Sequence, residues 1–464
     1  MELLLLLLQL ALLVMIVAIR RNRRVSPYLP TLLLFMTLLW FVIPVVLTVL
    51  LQGKLETYSF VNYDVFLFYA VLESFTLLVT LAFLLTPKPY FKFIIDSRLA
   101  DIYITPKGAL LVVISGIGFT ILTVALVALF IGTSYWDLNA FTYLSEGTDT
   151  FNNMGSVVVV QTLLSCFCCA CFIYTWPRER NTWWLLGALM VWVFIMVASQ
   201  APSGARMSLL QPLFLLTLYC QAQPWSSRRK LAIIGMGGVS TVVVGSILAV
   251  AIGQARYGDR LNLGEIVSSS SKAAEQNLIS ELANNLITKF DSFSTGALLV
   301  ERMGAGSAGI QPYVGAVLAL VPRAVLPSKP IPGSFDGTIR GHPTRVVAVQ
   351  MGMSEEAGNV NLSPAAVSIW QFGYLGLAVM IVCNVLQLYL INSLLLSPSL
   401  FLKSLAFFLV GLPSLLTLYA SPDFLLMNLE RILLFFLLLF AIYYALQRRL
   451  LRQQPWQQAN THNQ

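Results

Sequence analysis

Residues 372–395 read FGYLGLAVMIVCNVLQLYLINSLL and contain no Asp, Glu, Lys or Arg. About 20 predominantly apolar residues are enough for a helix to cross the hydrocarbon core of a bilayer. The run therefore predicts a membrane-spanning helix over Phe372–Leu395. The rest of the chain has the same character, because 57% of its 464 residues are hydrophobic and only 11% are charged. Soluble domains carry about 25% charged residues, so the sequence predicts an all-α polytopic membrane protein.

The same length criterion predicts about eleven membrane-spanning helices. In chain order they are Glu2–Ile19, Pro30–Leu51, Val65–Leu85, Ala109–Gly132, Gly155–Trp176, Trp183–Gln200, Met207–Ala222, Leu231–Gly253, Phe372–Leu395, Ser404–Ala420 and Phe424–Leu446. The first run has its basic residues after it rather than before it, which favours a first span over a signal peptide. The chain then divides into eight spans over 1–253, a long segment over 254–365, three spans over 366–446 and a tail over 447–464.

Lys and Arg are distributed unequally between alternate connections of these spans. The connections on one side, together with the C-terminal tail, carry seventeen of them. The short connections on the other side carry only Lys54 and Arg206. Because cytoplasmic loops are enriched in basic residues, we predict that the first side is cytoplasmic. The N-terminus is then outside, the C-terminus is cytoplasmic and the long segment faces outward.

The long segment 254–365 is the one extended part of the chain that is not built to lie in a bilayer. It holds nine Lys/Arg, nine Asp/Glu and a cluster of prolines. Helical spacing of apolar residues predicts an amphipathic helix over 278–290, and the short apolar run 313–321 predicts an interfacial or re-entrant piece. Trp370 and Tyr374 are expected to anchor the following span at the interface. A loop of this length is more often functional than passive, although a passive extramembrane cap is the alternative.

Two arginines in outward positions are candidates for binding a diphosphate. Arg206 lies in a tight hairpin between two spans, and Arg323 follows the predicted interfacial piece, with Lys329 six residues on. A guanidinium group is permanently charged and can contact two phosphate oxygens at once. The alternatives are a membrane anchor for Arg206, since arginine often extends its charge to the membrane surface, and an ordinary surface arginine for Arg323.

A third basic group contains the one histidine outside the tail. His342 lies between Arg340 and Arg345, and neighbouring positive charge favours the neutral imidazole, which can accept a proton from a hydroxyl. Glu355 and Glu356 are rival bases, and a solvated turn around Pro343 is the alternative for the whole group. Charges inside predicted spans, notably Glu73, are expected to be paired or to line a cavity.

Several classes of function are excluded by what the sequence lacks. It has no phosphate-binding loop, no dinucleotide fingerprint and no zinc-protease motif, and it has no basic stripe of the kind that binds nucleic acid. Four of the six cysteines crowd one apolar run without a histidine or carboxylate beside them, which favours packing over metal binding. We therefore predict no metal site and no cofactor.

Three motifs together resemble the Wzy-type O-antigen and exopolysaccharide repeat-unit polymerases of bacteria. They are the hairpin Ser203-Gly204-Ala205-Arg206, the segment Pro322–Pro330, and Asn359–Pro364 leading into Trp370-x-x-Gly373-Tyr374-x-Gly376. The resemblance implies a bacterial inner-membrane glycosyltransferase with a GT-C-like bundle. Its substrate would be oligosaccharide linked to undecaprenyl diphosphate, and its partners the lipid bilayer, a chain-length regulator and a flippase. Arg206 and Arg323 would neutralise the diphosphate leaving group.

Two alternatives to a polymerase stay open at the level of sequence. One is an O-antigen ligase, which transfers finished glycan to another acceptor. Ligase-like relatives have a histidine near the entry to the later spans, where this chain has Asn359 and Asn361, so the ligase is disfavoured and the base is left open. The other is a flippase or transporter of lipid-linked oligosaccharide, for which an internal structural repeat would be a sign.

Overall fold

A computed structural model describes residues 1–50, 63–95, 106–131, 211–223, 225–237, 293–314 and 362–409, with the single residues Ala170, Val191, Leu437 and Ala441. Every regular element in these ranges is helical, which confirms the predicted all-α class for this part of the chain. The helices are α1 (Glu2–Arg21), α2 (Leu29–Thr37), α3 (Ile43–Leu50), α4 (Tyr63–Ala82), α5 (Lys92–Ile95), α6 (Pro106–Ile131), α7 (Gln211–Ala222), α8 (Phe293–Met303), α9 (Pro364–Phe372), α10 (Leu375–Leu396) and α11 (Leu400–Leu409). Residues 227–237 are also helical.

Three helices of the described residues are long and apolar enough to cross a membrane. They cover Glu2–Arg21, Tyr63–Leu85 (α4 with a short 3₁₀ turn) and Leu375–Leu396. Each agrees with a predicted span to within about three residues, and α6 lies where a fourth span was predicted. A membrane helical protein is therefore supported, while the full set of eleven spans and the GT-C-like bundle remain predictions.

The predicted span Pro30–Leu51 is interrupted by a turn of π-helix. Leu38–Val42 form this turn between α2 and α3, and the Ile43 N–H donates to the Leu38 carbonyl five residues back. Pro44 is the second residue after the turn. Because proline lacks an N–H and its ring crowds the carbonyl four residues before it, the wider π turn accommodates Pro44 without ending the helical run.

Helices α1 and α4 lie side by side and run in the same direction. Three side-chain hydrogen bonds join them, from Tyr63 Oη to Glu2 Oε1 (3.0 Å), from Gln9 Nε2 to Ser74 Oγ (2.8 Å) and from Asn22 Nδ2 to the Leu84 carbonyl (3.0 Å). The residue numbers rise together along both helices, which only a parallel pair allows. The helical run 29–50, which lies between them in the sequence, leads the chain from the end of α1 back towards the start of α4.

Helix α10 joins this pair at its C-terminal end. Tyr389 Oη donates to the Phe83 carbonyl at 2.9 Å. Asn392, which is fully buried, donates to the carbonyls of Pro89 (2.9 Å) and Arg24 (3.2 Å) and accepts from the Ser26 N–H (2.8 Å). The C-terminal ends of α1, α4 and α10 therefore meet, and all three helices run in the same direction.

We call this meeting point the basic end. It carries Arg20, Arg21, Arg23, Arg24, Lys88 and Lys92. Helix α7 also ends there, because Gln221 hydrogen-bonds to Thr31 and to the Pro27 carbonyl and accepts from Lys230 Nζ at 3.2 Å. The basic residues at this end all come from connections predicted to be cytoplasmic. The shared direction agrees with the predicted alternation of spans, and the side of the membrane that the basic end faces remains a prediction.

Helices α8 and α9 form a buried layer against α4 and the start of α10. Gly296 allows α8 to approach α9 closely, because a Cβ there would come within 2.7 Å of the Ala366 Cβ. Helix α9 begins at Pro364 and is capped by Ser363, whose Oγ accepts from the Ala366 N–H at 3.2 Å. Ser and Pro are favoured at these first positions of a helix. Helix α8 was not predicted, and the amphipathic helix predicted over 278–290 lies outside the described residues.

The start of the predicted span Phe372–Leu395 needs two corrections. The span begins at Leu375 instead, because Gly373 adopts a positive φ of 62° that ends α9. Trp370 was expected to be an interfacial anchor but is 0% exposed and packs against Leu298 and Leu299 of α8. Tyr374 is 61% exposed, as an anchor requires.

Helix α11 starts earlier than the predicted span Ser404–Ala420. It covers Leu400–Leu409, so Lys403 belongs to the helix rather than to the connection before it. Ser404 Oγ donates to the Leu400 carbonyl at 2.8 Å within this first turn. The remainder of that span lies outside the described residues.

Candidate functional site

The residues predicted to form the site lie outside the described residues. They are Arg206, Arg323, Lys329, Arg340, His342, Arg345, Glu355 and Glu356. Their roles as diphosphate ligands and bases remain predictions. For all of them but Arg206, the structure describes the support on either side, residues 293–314 and the chain from Leu362 onward.

The described pieces of the long segment are attached to one end of the helix bundle, which we call the loop end. Phe293, at the start of α8, is buried with its ring 5.9 Å from that of Phe66 and 6.0 Å from that of Phe41. One turn further along α8, Ala297 packs with Tyr69 of α4 and Ile369 of α9. Phe66 and Tyr69 lie in the first half of α4, so the loop end is opposite the basic end.

A glycine-rich turn after α8 caps the C-terminal end of α9. The N–H groups of Gly306, Ala308 and Gly309 donate to the carbonyls of Ile369 (2.9 Å), Trp370 (3.2 Å) and Gln371 (3.0 Å). The last carbonyls of a helix have no partner within it, so the turn supplies donors to the carbonyls of Trp370 and Gln371, while the Ile369 carbonyl also accepts from the Gly373 N–H at 2.8 Å. Gly304, Gly306 and Gly309 all have positive φ values, a conformation that favours glycine.

Tyr313 extends this attachment to the last part of the segment that the structure describes. Its Oη donates to Gln371 Oε1 at 3.0 Å, and its ring lies 5.5 Å from that of Phe372. Residues 313 and 314 are therefore held against the end of α9, and Leu362 packs with the same buried group as Trp370. The intervening residues 315–361 thus leave and re-enter the described structure at the loop end. Seven of the eight predicted site residues lie between those two points.

The surface of the loop end combines apolar and polar groups. Ile310, Tyr374 and Leu375 are exposed, while Glu301 and Arg302 are exposed in the last turn of α8. Aromatic rings with polar tips next to apolar side chains are typical of a membrane–water boundary.

Glu73 is a carboxyl group within the predicted span of α4. It is 3% exposed, and its Oε2 has no hydrogen-bond partner among the described residues. A charged side chain at the centre of a bilayer costs about 3 kcal/mol or more. The sequence predicted that such a charge would be paired or would line a cavity, and the described residues contain no cation paired with it.

The described residues contain no group of three His, Cys, Asp or Glu that could hold a metal ion. Cys220 and Cys383, which the structure describes, are free thiols on separate helices. The prediction that the site uses no metal or cofactor continues to rest on the sequence.

Sequence reasoning missed the support formed by α8 and the turn that follows it. The available signal was the spacing Gly304-x-Gly306-x-x-Gly309 directly after the amphipathic stretch 293–303. Glycine just past the end of a periodic apolar stretch marks a helix C-terminus. That signal would have placed an ordered helix in the long segment, though not the surface against which it packs.

Comparisons with protein-family models, with curated proteins and with solved structures found no match. The resemblance to repeat-unit polymerases therefore depends on its short motifs. In the part of the third motif that the structure describes, Ser363 and Pro364 start α9, Gly373 ends it and Gly376 permits its close contact with α10. These four residues have structural roles that position the segment.

Proposed function

We propose that this protein polymerises undecaprenyl-diphosphate-linked oligosaccharide repeat units into O-antigen or exopolysaccharide at the outer face of a bacterial inner membrane. The motif resemblance supports this proposal. So does one structural observation, the attachment of both flanks of residues 315–361 to the loop end. On this proposal the seven predicted site residues of that stretch work where the lipid-linked substrate presents its diphosphate.

The proposal that the loop end faces outward rests on the position of the basic end. Basic residues concentrate in cytoplasmic connections, and the described basic end carries at least six of them at the ends of α1 and α4. If the basic end is cytoplasmic, the loop end faces outward. No nucleotide-sugar donor is expected outside the cell, so a lipid diphosphate is the fitting leaving group there.

The proposed reaction is a glycosyl transfer between two lipid-linked substrates. A hydroxyl of the acceptor sugar attacks the anomeric carbon of the donor, a new glycosidic bond forms, and the bond to the diphosphate oxygen breaks with its electron pair. Arg206 and Arg323 neutralise the charge that develops on the diphosphate. Lys329, Arg340 and Arg345 add positive charge nearby.

The proton of the acceptor hydroxyl needs a destination. His342 is the first choice, because its unperturbed pKa is near 6.5 and two neighbouring arginines favour its neutral form. Glu355 and Glu356 are the second choice. The proposed architecture is an eleven-span, GT-C-like bundle that receives repeat units from a flippase and acts together with a chain-length regulator.

A deletion experiment in the native host separates the candidate functions. Glycans attached to the lipid carrier are extracted from cells without this protein and sized. Accumulation of single repeats supports the polymerase, full-length chains on the carrier indicate a ligase, and repeats trapped on the cytoplasmic face indicate a flippase. Complementation with Arg206→Ala or Arg323→Ala should fail to restore polymer. Arg302→Ala, which removes an exposed cation at the loop end, is the matched control.

One observation favours the flippase as a second candidate. Glu73 is buried within a predicted span without a cationic partner among the described residues, and intramembrane carboxyls are common in proton-coupled transporters. The outward concentration of the predicted site residues argues for the polymerase instead. Trapping of repeats on the cytoplasmic face would decide for the flippase.

A further inference from the structure

Glu73 occupies the inner face of α4, which packs against α1, α8, α9 and α10. Its side chain is 3% exposed, and Oε2 has no hydrogen-bond partner in the part of the chain that the structure describes. The backbone carbonyl of Glu73 accepts from Thr76 Oγ1 at 2.9 Å, so the helix itself is intact here. The carboxyl group is thus held in the interior of the bundle by packing rather than by an ion pair within the described residues.

The depth of Glu73 follows from its neighbour Ser74. Gln9 Nε2 donates to Ser74 Oγ at 2.8 Å, which places Glu73 at the level of the middle of α1. At about 1.5 Å per residue, Gln9 lies roughly 10 Å along the helix from Glu2 and roughly 16 Å from Arg20. The charges at the two ends of α1 are therefore too distant to pair with Glu73.

The other described helices that pack against α4, which are α8, α9 and α10, offer no cation at this depth. The only charged side chains of α8 are Glu301 and Arg302 in its last turn at the loop end, and α9 and α10 contain no Asp, Glu, Lys or Arg. Their titratable groups are Tyr374 at the loop end, Cys383 within α10, and Tyr389 at the basic end. On α4 itself, Tyr63, Asp64 and Tyr69 all lie towards the loop end.

The carboxylate oxygen of Glu73 that lacks a partner among the described residues suits a proton better than a metal ion. Hard metal cations take about six oxygen ligands. Of the neighbouring oxygens, Ser74 Oγ already accepts from Gln9 and donates to the Ala70 carbonyl at 2.6 Å. Gln9 Oε1 is buried without a partner among the described residues, and this one amide oxygen cannot complete a metal shell. A proton needs only the carboxyl oxygen.

We propose that Glu73 is a proton-binding site in the membrane-embedded core of the protein. One proton from water forms an O–H bond with the carboxylate, and the folded protein holds Glu73 as the neutral carboxylic acid at neutral pH. A neutral acid is far cheaper to bury in an apolar interior than a carboxylate. This inference does not depend on the polymerase proposal, because it concerns the described helices alone.

Infrared difference spectroscopy of the purified protein in lipid tests the site directly. At neutral pH the wild-type protein should show the carbonyl band of a protonated carboxylic acid, and Glu73→Gln should lose it. Glu301→Gln, which neutralises an exposed carboxylate on α8, should retain it. Equal spectra for wild type and Glu73→Gln would overturn the proposal. Loss of the band on adding sodium chloride, with potassium chloride as the ionic-strength control, would assign the site to a metal cation and overturn it as well.

The thermal midpoint as a function of pH gives an independent test. The folded state holds a proton that the solvent-exposed carboxyl of the unfolded chain lacks at neutral pH, so raising the pH should lower the midpoint of the wild-type protein. Glu73→Gln should lose this part of the alkaline dependence, and Glu301→Gln should keep it. Identical profiles for wild type and Glu73→Gln would contradict the proposal. If Glu73→Gln does not accumulate, Glu73→Asp replaces it in the infrared test, because a shorter carboxylic acid at this position should shift the carbonyl band. An unshifted band in Glu73→Asp would contradict the proposal.

Discussion

Gly376 lies so close to Ser368 that a Cβ at Gly376 would come within 2.0 Å of the Ser368 carbonyl oxygen. The two residues belong to α10 and α9, which are joined by the turn at Gly373. This contact sets how closely the buried helix α9 can fold back on the span that follows it. The segment that leads into the predicted site is thereby held against the membrane bundle.

Gly376→Ala should therefore destabilise the protein. The added methyl group cannot fit without moving the backbone of α9, and overpacking of this kind costs roughly 1–3 kcal/mol. The thermal midpoint of the purified protein measures the effect. Gly118→Ala in α6 is the matched control, because nothing lies within 4 Å of a Cβ there and alanine favours helix over glycine. Equal midpoints for Gly376→Ala and wild type would show that the contact does not constrain the fold.

Asn392 should be the most sensitive polar residue of α10. Its side chain makes three hydrogen bonds to backbone groups of Arg24, Ser26 and Pro89 while fully buried. Replacement by alanine leaves those backbone groups without a partner, and each such group costs about 1–3 kcal/mol. We expect Asn392→Ala to lower the thermal midpoint more than Asn384→Ala, since Asn384 is also buried on α10 but its Oδ1 has no partner. The reverse order would contradict this account of the basic end.

The predicted sidedness can be tested with reporter fusions. Fusions after Gly253 and near Ser354 should report the outside of the membrane, while fusions after Arg24, Arg229 and Arg452 should report the cytoplasm. The reason is the unequal distribution of Lys and Arg between alternate connections. A cytoplasmic signal near Ser354 would remove the basis for an outward-facing site.

The proposed diphosphate clamp predicts the effect of changing either arginine. Arg206→Ala or Arg323→Ala should abolish polymer while the protein still reaches the membrane. Arg→Lys at either position should also fail, because an ammonium group cannot make the two-pronged contact. Loss of one such contact in the transition state costs about 3 kcal/mol, roughly a hundredfold in rate. Polymer length and amount are compared with those of Arg302→Ala cells. Near-normal polymer from a double Arg206→Ala, Arg323→Ala variant would rule out the clamp.

His342 is the preferred proton acceptor, so His342→Ala should reduce polymer formation strongly. Because only neutral imidazole accepts a proton, the rate of the wild-type protein should fall as the pH is lowered through the titration range of His342. Initial rates with lipid-linked donor and acceptor measure both effects. Unchanged polymer in His342→Ala would transfer the role to Glu355 or Glu356, and their variants Glu355→Gln and Glu356→Gln would then be compared.

Long apolar runs were predicted well because few backbone conformations are possible for them in a bilayer. A chain in hydrocarbon must satisfy its own backbone hydrogen bonds, so Glu2–Ile19, Val65–Leu85 and most of Phe372–Leu395 could be read as helices without knowing their neighbours. The predicted alternation of spans would make the first, third and ninth spans run in the same direction, while the side of the membrane that each end faces remains a prediction. The structure has them parallel.

The predictions from sequence were wrong or incomplete where contacts with other helices decide the position of a residue. Tryptophan is a residue type typical of interfacial anchors, yet Trp370 is covered by α8. The break at Gly373 lies within an otherwise continuous apolar run. The predicted clamp and base residues lie outside the described residues, so no geometry yet bears on them.

By itself, the sequence predicted that the described part of the chain is helical, that three of its helices are long and apolar enough to cross a membrane, and roughly where they begin and end. Length and apolarity suffice for that, because both act within a single helix. Only the tertiary structure decided that Gly304–Gly309 caps α9, that α8 closes over Trp370 and that Glu73 is enclosed without a partner among the described residues. Each of these depends on contacts between residues far apart in the chain, whose partners local pattern does not specify.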